Sequence, residues 1–352
     1  MIVRPRPEVE RLRVYRLRRD AAVRLNQNES PLDWPDEAKA EVLARVAARD
    51  WNRYPADPEP VRAAFAAHVG VEPGMVLATN GSNEALLALV ETFALGREVV
   101  LTAPGYSMAT PLAIVGGAAV RAVRLREDFS LDVPAMLEAG RSAALILLAS
   151  PNNPTGNAFA PADLEAIAAG ARGVVVVDEA YAPFAEDTCL PALQRWSNLV
   201  VVRTMSKGWA LAGGRIGWIV ASEPLAAEIA KALPPYNLNV FAQEAALAAL
   251  ARPEWMRAQV RAILAQRAEL ARALAAVPGV EVFPSQANFL LFRTPLPAAD
   301  LFERLLARGV LVRDVSAQPM LARCLRVTVG TAEENARFLE ALRASLGQGA
   351  AR

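Results

Sequence analysis

Between about residues 36 and 233 the chain alternates short apolar runs, many of them β-branched, with alanine-rich amphipathic stretches. That rhythm predicts βαβ units: an α/β fold with a mainly parallel sheet and helices on both faces, because parallel strands buried on two sides read as continuous apolar runs. Strands are expected at 75–79, 98–102, 120–125, 144–149, 173–177, 198–203 and 215–221, with helices between them such as 83–94 and 162–169. After Pro234-Pro235 the texture changes. A helical region at 242–277, broken only near Pro253, leads into expected strands at 280–283 and 288–292 and a helix at 298–308. Strands at 310–313 and 324–329 and a helix at 332–346 follow, so this half reads as a smaller α+β unit. The first 30 or so residues carry neither period. The expected organisation is an N-terminal arm (1–34), a large domain (35–236) and a small domain (237–352).

The 352 residues are 53% hydrophobic and 21% charged, enough to bury a large core in about two domains. No apolar run approaches the roughly 18 residues of a membrane helix. The first residues, MIVRPRPEVERLR, carry charge where a signal peptide would have its apolar core, so a soluble cytoplasmic protein is expected. Cys189 and Cys324 form neither a metal spacing nor a disulfide framework, which fits a reduced compartment. A net charge of +1 gives no electrostatic case for nucleic acid or an anionic membrane as partner. One histidine, His68, cannot build a Ser-His-Asp triad or a multi-histidine metal centre, and no metal is expected. The 38 basic residues comprise 35 arginines and only Lys39, Lys207 and Lys231. Coding bias accounts for most of that imbalance, but it makes any lysine in a chemically loaded place conspicuous.

In an open α/β sheet ligands bind beyond the carboxyl ends of the strands, so what each strand runs into is informative. The strand at 75–79 runs into Asn80-Gly81-Ser82-Asn83 and a helix start, which reads either as an ordinary N-cap or as an anion site. The next, at 98–102, runs into Pro104-Gly105-Tyr106. The strand at 144–149 ends in the rigid turn Ser150-Pro151-Asn152-Asn153-Pro154-Thr155-Gly156. The apolar strand at 173–177 ends in Asp178-Glu179-Ala180-Tyr181, where a buried carboxylate requires a positive partner, an arginine or something else. The strand at 198–203 ends in Thr204-Met205-Ser206-Lys207, and a desolvated lysine can act as nucleophile or base where arginine cannot. A phosphate cradle, an aromatic face, an amide, a carboxylate with a phenol, and a lysine together describe a pocket for a phosphorylated, aromatic, carbonyl-bearing cofactor, pyridoxal 5′-phosphate.

Eleven segments carry a resemblance over nearly the whole chain: LNQNESP (25–31), NRYP (52–55), NGSNEAL (80–86), PGYSM (104–108), SPNNPTG (150–156), DEAY (178–181), RTMSKGWALAGGRIGW (203–218), PPYN (234–237), ANFLLFR (287–293), GVLVRD (309–314) and LRVTVG (325–330). In order and spacing they resemble the class I/II aminotransferases of fold type I, and within them the histidinol-phosphate aminotransferase branch. The resemblance implies a pyridoxal-phosphate-dependent transferase in which Lys207 bonds the cofactor aldehyde and Asp178 keeps the ring nitrogen protonated. Asn153 and Tyr181 would bind the ring hydroxyl and Tyr106 would lie on the ring face. Ser82, Asn83, Thr204, Ser206 and Arg215 would hold the phosphate, with Tyr54 reaching it from the second subunit of a homodimer. Arg326 and Arg313 are then the substrate-anion arginines, and Tyr15 and Asn28 close the pocket. Asn83 stands where the family usually has Asp, which removes a charge near the phosphate. The implied substrates are a phosphorylated amine and the pair 2-oxoglutarate/glutamate. An aromatic or broad-range aminotransferase and, more distantly, a threonine-phosphate decarboxylase stay open. The absence of a G-x-G-x-x-G turn disfavours a nucleotide-binding dehydrogenase.

Overall fold

The computed structural model describes residues 3–14, 19–55 and 58–347. In the arm, β1 (Val23–Arg24) is too short to carry any period. The main sheet is formed by β2 (Val76–Thr79), β3 (Glu98–Ala103), β4 (Ala119–Arg124), β5 (Leu145–Ala149), β6 (Val174–Asp178), β7 (Leu199–Thr204) and β8 (Gly217–Ala221). Their order is β2-β8-β7-β6-β5-β3-β4, all parallel except β8, which runs against both of its neighbours. The C-terminal ends of β2, β3, β5, β6 and β7 therefore lie along one edge, where the polar strand ends collect.

Alternation along each strand divides the sheet's side chains between two cores. Ile146, Leu148, Val175, Val177, Val201 and Val220 enter one, with helices Asp36–Ala47, Glu59–Val69 and Pro161–Gly170. Leu145, Leu147, Val174, Val176, Val202 and Ile219 enter the other, under helices Ser82–Phe93 and Glu223–Ala230. Both faces of β5 and β6 are thus buried at every position, which is why their sequences, LILLA and VVVVD, show no alternation of polarity.

The second sheet, in the order β12-β13-β10-β9, is antiparallel and contains β9 (Glu281–Val282), β10 (Phe289–Arg293), β12 (Arg313–Asp314) and β13 (Cys324–Thr328). Its outer face packs Leu290, Phe292, Leu325 and Val327 against helices Ala298–Leu306 and Ala332–Ser345. The other face turns Phe289 and Leu291 into the core of the main sheet. By the same alternation Arg326 and Thr328 of β13 point toward the main sheet rather than outward.

Two strands differ from the sequence reading, and the break in the helical region falls where it was expected, near Pro253. The strand expected at 215–221 begins at Gly217, because Arg215 adopts the left-handed conformation (φ 52°) and cannot extend a ladder. The strand expected at 310–313 divides: β11 (Val310–Leu311) pairs in parallel with β1, whereas Arg313–Asp314 pairs with β13. The helical region ends at Leu250 and restarts at Pro253, a residue well suited to a first helical turn. Helix Val240–Leu250 packs on Asp36–Ala47 and Glu59–Val69, so the main sheet's helical layer also draws on chain beyond residue 236.

Candidate active site

At the shared strand edge, Gly81 (φ 78°) turns the chain from β2 into helix Ser82–Phe93. A Cβ on Gly217 of β8 would fall 2.7 Å from Gly81 C and 2.8 Å from Ser82 N, so turn and strand meet backbone to backbone. The Arg215 side chain lies directly over Gly81. Its Nη1 donates to Ser206 Oγ at 3.3 Å and to Ala212 O at 3.2 Å. Thr204 Oγ1 donates to Ile216 O (2.9 Å), accepts from Ser206 N (3.1 Å) and lies 2.9 Å from Ser206 Oγ. Hydroxyls, a guanidinium and the positive end of a helix thus converge without a large side chain between them, the arrangement that binds a phosphate.

Beside this cradle stand two groups whose burial works against their usual charge. Asp178 closes β6 and is buried; its Oδ1 accepts from Ala180 N at 3.1 Å. Burial pushes its carboxyl up to about 7. The arginine that could have satisfied a carboxylate here goes to its neighbour: Arg203 Nε and Nη2 donate to Glu179 Oε2 at 3.0 and 2.7 Å. Among the described residues Asp178 makes no ion pair, so its charge is left for a cation brought into the pocket. Lys207 donates from Nζ to Gln27 O at 2.9 Å. Burial, together with Arg326 and Arg215, brings its amine down to about 7, so a large fraction is neutral at physiological pH.

The second sheet and the arm supply the opposite wall. Tyr181 OH accepts from Asn28 Nδ2 (2.9 Å) and Asn153 Nδ2 (3.2 Å), while burial raises the phenol's pKa. Arg326 Nη1 donates to Asn153 Oδ1 (2.5 Å) and Nη2 to Asn26 O (2.7 Å), with its guanidinium 5.1 Å from the Phe289 ring centroid. Asn28, itself left-handed (φ 55°), is fixed by its N–H on Thr328 Oγ1 and by Asn288 Nδ2 on its carbonyl. Tyr106 OH donates to Asn83 Oδ1 at 2.9 Å. Together these walls enclose about 520 Å³, to which the second sheet also contributes Arg313.

This geometry has close counterparts. The family model for aminotransferase class I and II matches residues 21–342. The chain belongs to the aminotransferase class I and II family. It is similar to histidinol-phosphate aminotransferase 2 of Nitrosococcus oceani, with 42% identity across 96% of each chain. The histidinol-phosphate aminotransferase of Chlorobaculum tepidum is 39% identical over 96% of this chain and 99% of its own. Among solved structures, the histidinol-phosphate aminotransferase of Sinorhizobium meliloti in complex with pyridoxal-5′-phosphate aligns with a TM-score of 0.87 and 26% identity, covering 99% and 98% of the two chains. The fold is that of the fold type I aminotransferases, and the enzyme is a pyridoxal-phosphate-dependent aminotransferase.

The aminotransferase pocket fits that cofactor on its own donor set: an anion cradle, a buried carboxylate without an arginine, and a lysine whose amine loses its proton readily. Of the residues singled out from sequence, Asn28, Ser82, Asn83, Tyr106, Asn153, Asp178, Tyr181, Thr204, Ser206, Lys207, Arg215, Arg313 and Arg326 line one cavity. Tyr54 does not; it is exposed and stacks on Tyr236 with ring centroids 4.6 Å apart. Tyr15 lies outside the described residues. Gln27 and Glu29 also line the cavity, and Thr328 positions Asn28. Sequence reasoning gave these three no role, although Gln27 and Glu29 flank Asn28 within LNQNESP.

Proposed function

We propose that this aminotransferase moves the amino group of histidinol phosphate to 2-oxoglutarate, giving imidazole-acetol phosphate and glutamate in histidine biosynthesis. The observation that carries the substrate is the register of β12 and β13. Arg313 and Arg326 are directly opposite each other, and both line the cavity. Two guanidiniums on one face of the ladder make that wall of the cavity strongly cationic, and planar forks suit a phosphate dianion. The names of the similar proteins at 39–42% identity support the same substrate.

Pyridoxal 5′-phosphate supplies a reactive aldehyde and an electron-accepting ring when bound. The chain's part is to hold it and to move protons. Ser82, Asn83, Thr204, Ser206 and Arg215 would hold the phosphate; Asp178 would keep a proton on the ring nitrogen; Asn153 and Tyr181 would hold the ring hydroxyl; Tyr106 would cover the ring face. Lys207 would hold the cofactor by its aldehyde and, once the substrate's amine has displaced it, its neutral Nζ would take and return the substrate's Cα proton. Asn28 would close the pocket over the substrate. The reading includes a cytoplasmic homodimer with a composite site, in which the exposed Tyr54 reaches the partner subunit's phosphate cradle. It also keeps the arm at 1–34 and the domains at 35–236 and 237–352.

The test is a comparison of kcat/KM for histidinol phosphate and for phenylalanine, each with 2-oxoglutarate as acceptor. A preference of at least tenfold for histidinol phosphate is expected. A preference for phenylalanine supports the aromatic aminotransferase instead, and carbon dioxide release from phosphothreonine supports the decarboxylase.

A further inference from the structure

Six ionisable side chains other than tyrosine line the cavity: Lys207, Arg215, Arg313, Arg326, Asp178 and Glu29. Taking the proposed function as the starting point, five have work that the cofactor and the substrate phosphate would give them, and Glu29 does not. Asp178 is buried at the end of β6, whereas Glu29 is exposed at the mouth of the cavity. Among the described residues Glu29 forms no ion pair. Its backbone is nonetheless held in place. Asn28, immediately before it, is pinned by Thr328 Oγ1 on its N–H and by Asn288 on its carbonyl, across 300 and 260 residues of chain. An acidic side chain is thus held beside a pocket whose other charged groups, apart from Asp178, are all basic, close enough to act electrostatically on Lys207.

A substrate with its amine at Lys207 and its phosphate between Arg313 and Arg326 has one polar group left, the imidazole ring. We infer that Glu29 is a specificity-determining residue that accepts a hydrogen bond from the imidazole N–H, so that the pocket favours amines bearing a cationic or N–H-donating ring over those bearing a phenyl ring. Phenylalanine offers this carboxylate no hydrogen bond and leaves it partly desolvated, which is the larger source of discrimination.

Steady-state kinetics of the holoenzyme and of Glu29→Gln and Glu29→Asp, with histidinol phosphate and with phenylalanine, test this. For Glu29→Gln the expected result is a rise of about tenfold in KM for histidinol phosphate, the scale of one charge-assisted hydrogen bond at an exposed site, with phenylalanine kinetics unchanged. Glu29→Asp is expected to recover part of the loss. An equal change for both substrates would mean that Glu29 acts through Lys207 and overturns the inference. An unchanged KM for histidinol phosphate in an enzyme that uses it also overturns the inference and leaves the proposed function standing. A wild-type enzyme that does not use histidinol phosphate overturns both.

Discussion

Lys207 and Asp178 are the residues whose surroundings most contradict their solution behaviour, and each has a consequence in the cofactor-free protein. The Asp178 carboxyl, ordinarily near 3.8, stands at about 7, so the native state holds a proton that the unfolded chain has released between those values. Stability contributed by this residue is therefore present below pH 4 and falls as pH rises to 7. Asp178→Asn is expected to stabilise the apoprotein at pH 8 by roughly 2 kcal/mol while abolishing transamination, with denaturant melts and activity as the readouts. The gain falls short of the full shift because the variant deprives Lys207 of a neighbouring carboxylate. Lys207, lowered from 10.5 to about 7, behaves in the opposite sense: its burden on stability is complete below 7 and disappears as pH rises toward 10.5. Because only the neutral amine attacks an aldehyde, the rate at which apoprotein captures pyridoxal phosphate is expected to rise with pH and level off above about 7. Stopped-flow absorbance between pH 6 and 8 checks it. Lys207→Arg, which keeps charge but cannot lose its proton, is expected to lower kcat by at least about a thousandfold.

At the scale of elements, the site depends on how closely β8 approaches the start of helix Ser82–Phe93. Gly217→Ala places a methyl against Gly81 C and Ser82 N, backbone atoms that cannot rotate away. The expected result is a loss of about 2–3 kcal/mol in stability and weaker cofactor retention, measured by thermal melts with and without added cofactor. The site's legibility in sequence also follows from its elements. Asp178 and Lys207 were visible because each follows an apolar run that ends on a shared edge, and a parallel sheet sets those ends side by side. Gln27, Glu29 and Thr328 were not, because LNQNESP has no period of its own. It reaches the pocket by the pairing of two-residue β1 with β11 and by long-range hydrogen bonds to Thr328, Arg326 and Asn288, 260–300 residues away. The split of the strand expected at 310–313 has the same origin: neighbouring residues pair with different partners, and apolar pattern does not record partner identity.

For the whole molecule, the two sheets meet at the cavity, the larger one holding the lysine and carboxylate and the smaller one carrying the two arginines on its inward face. The chain's shortage of lysine makes the central claim open to a direct chemical test. Borohydride reduces the carbon–nitrogen double bond between the cofactor and its lysine to a stable secondary amine, which peptide mass mapping can then locate. Lys39 is partly exposed and paired with Asp33 and Asp36, and Lys231 is paired with Glu228. The pyridoxyl label is expected on the peptide containing Lys207, with loss of the holoenzyme's visible absorption band. A label on Lys39 or Lys231, or a reduced holoenzyme that releases all of its cofactor on denaturation, would contradict it.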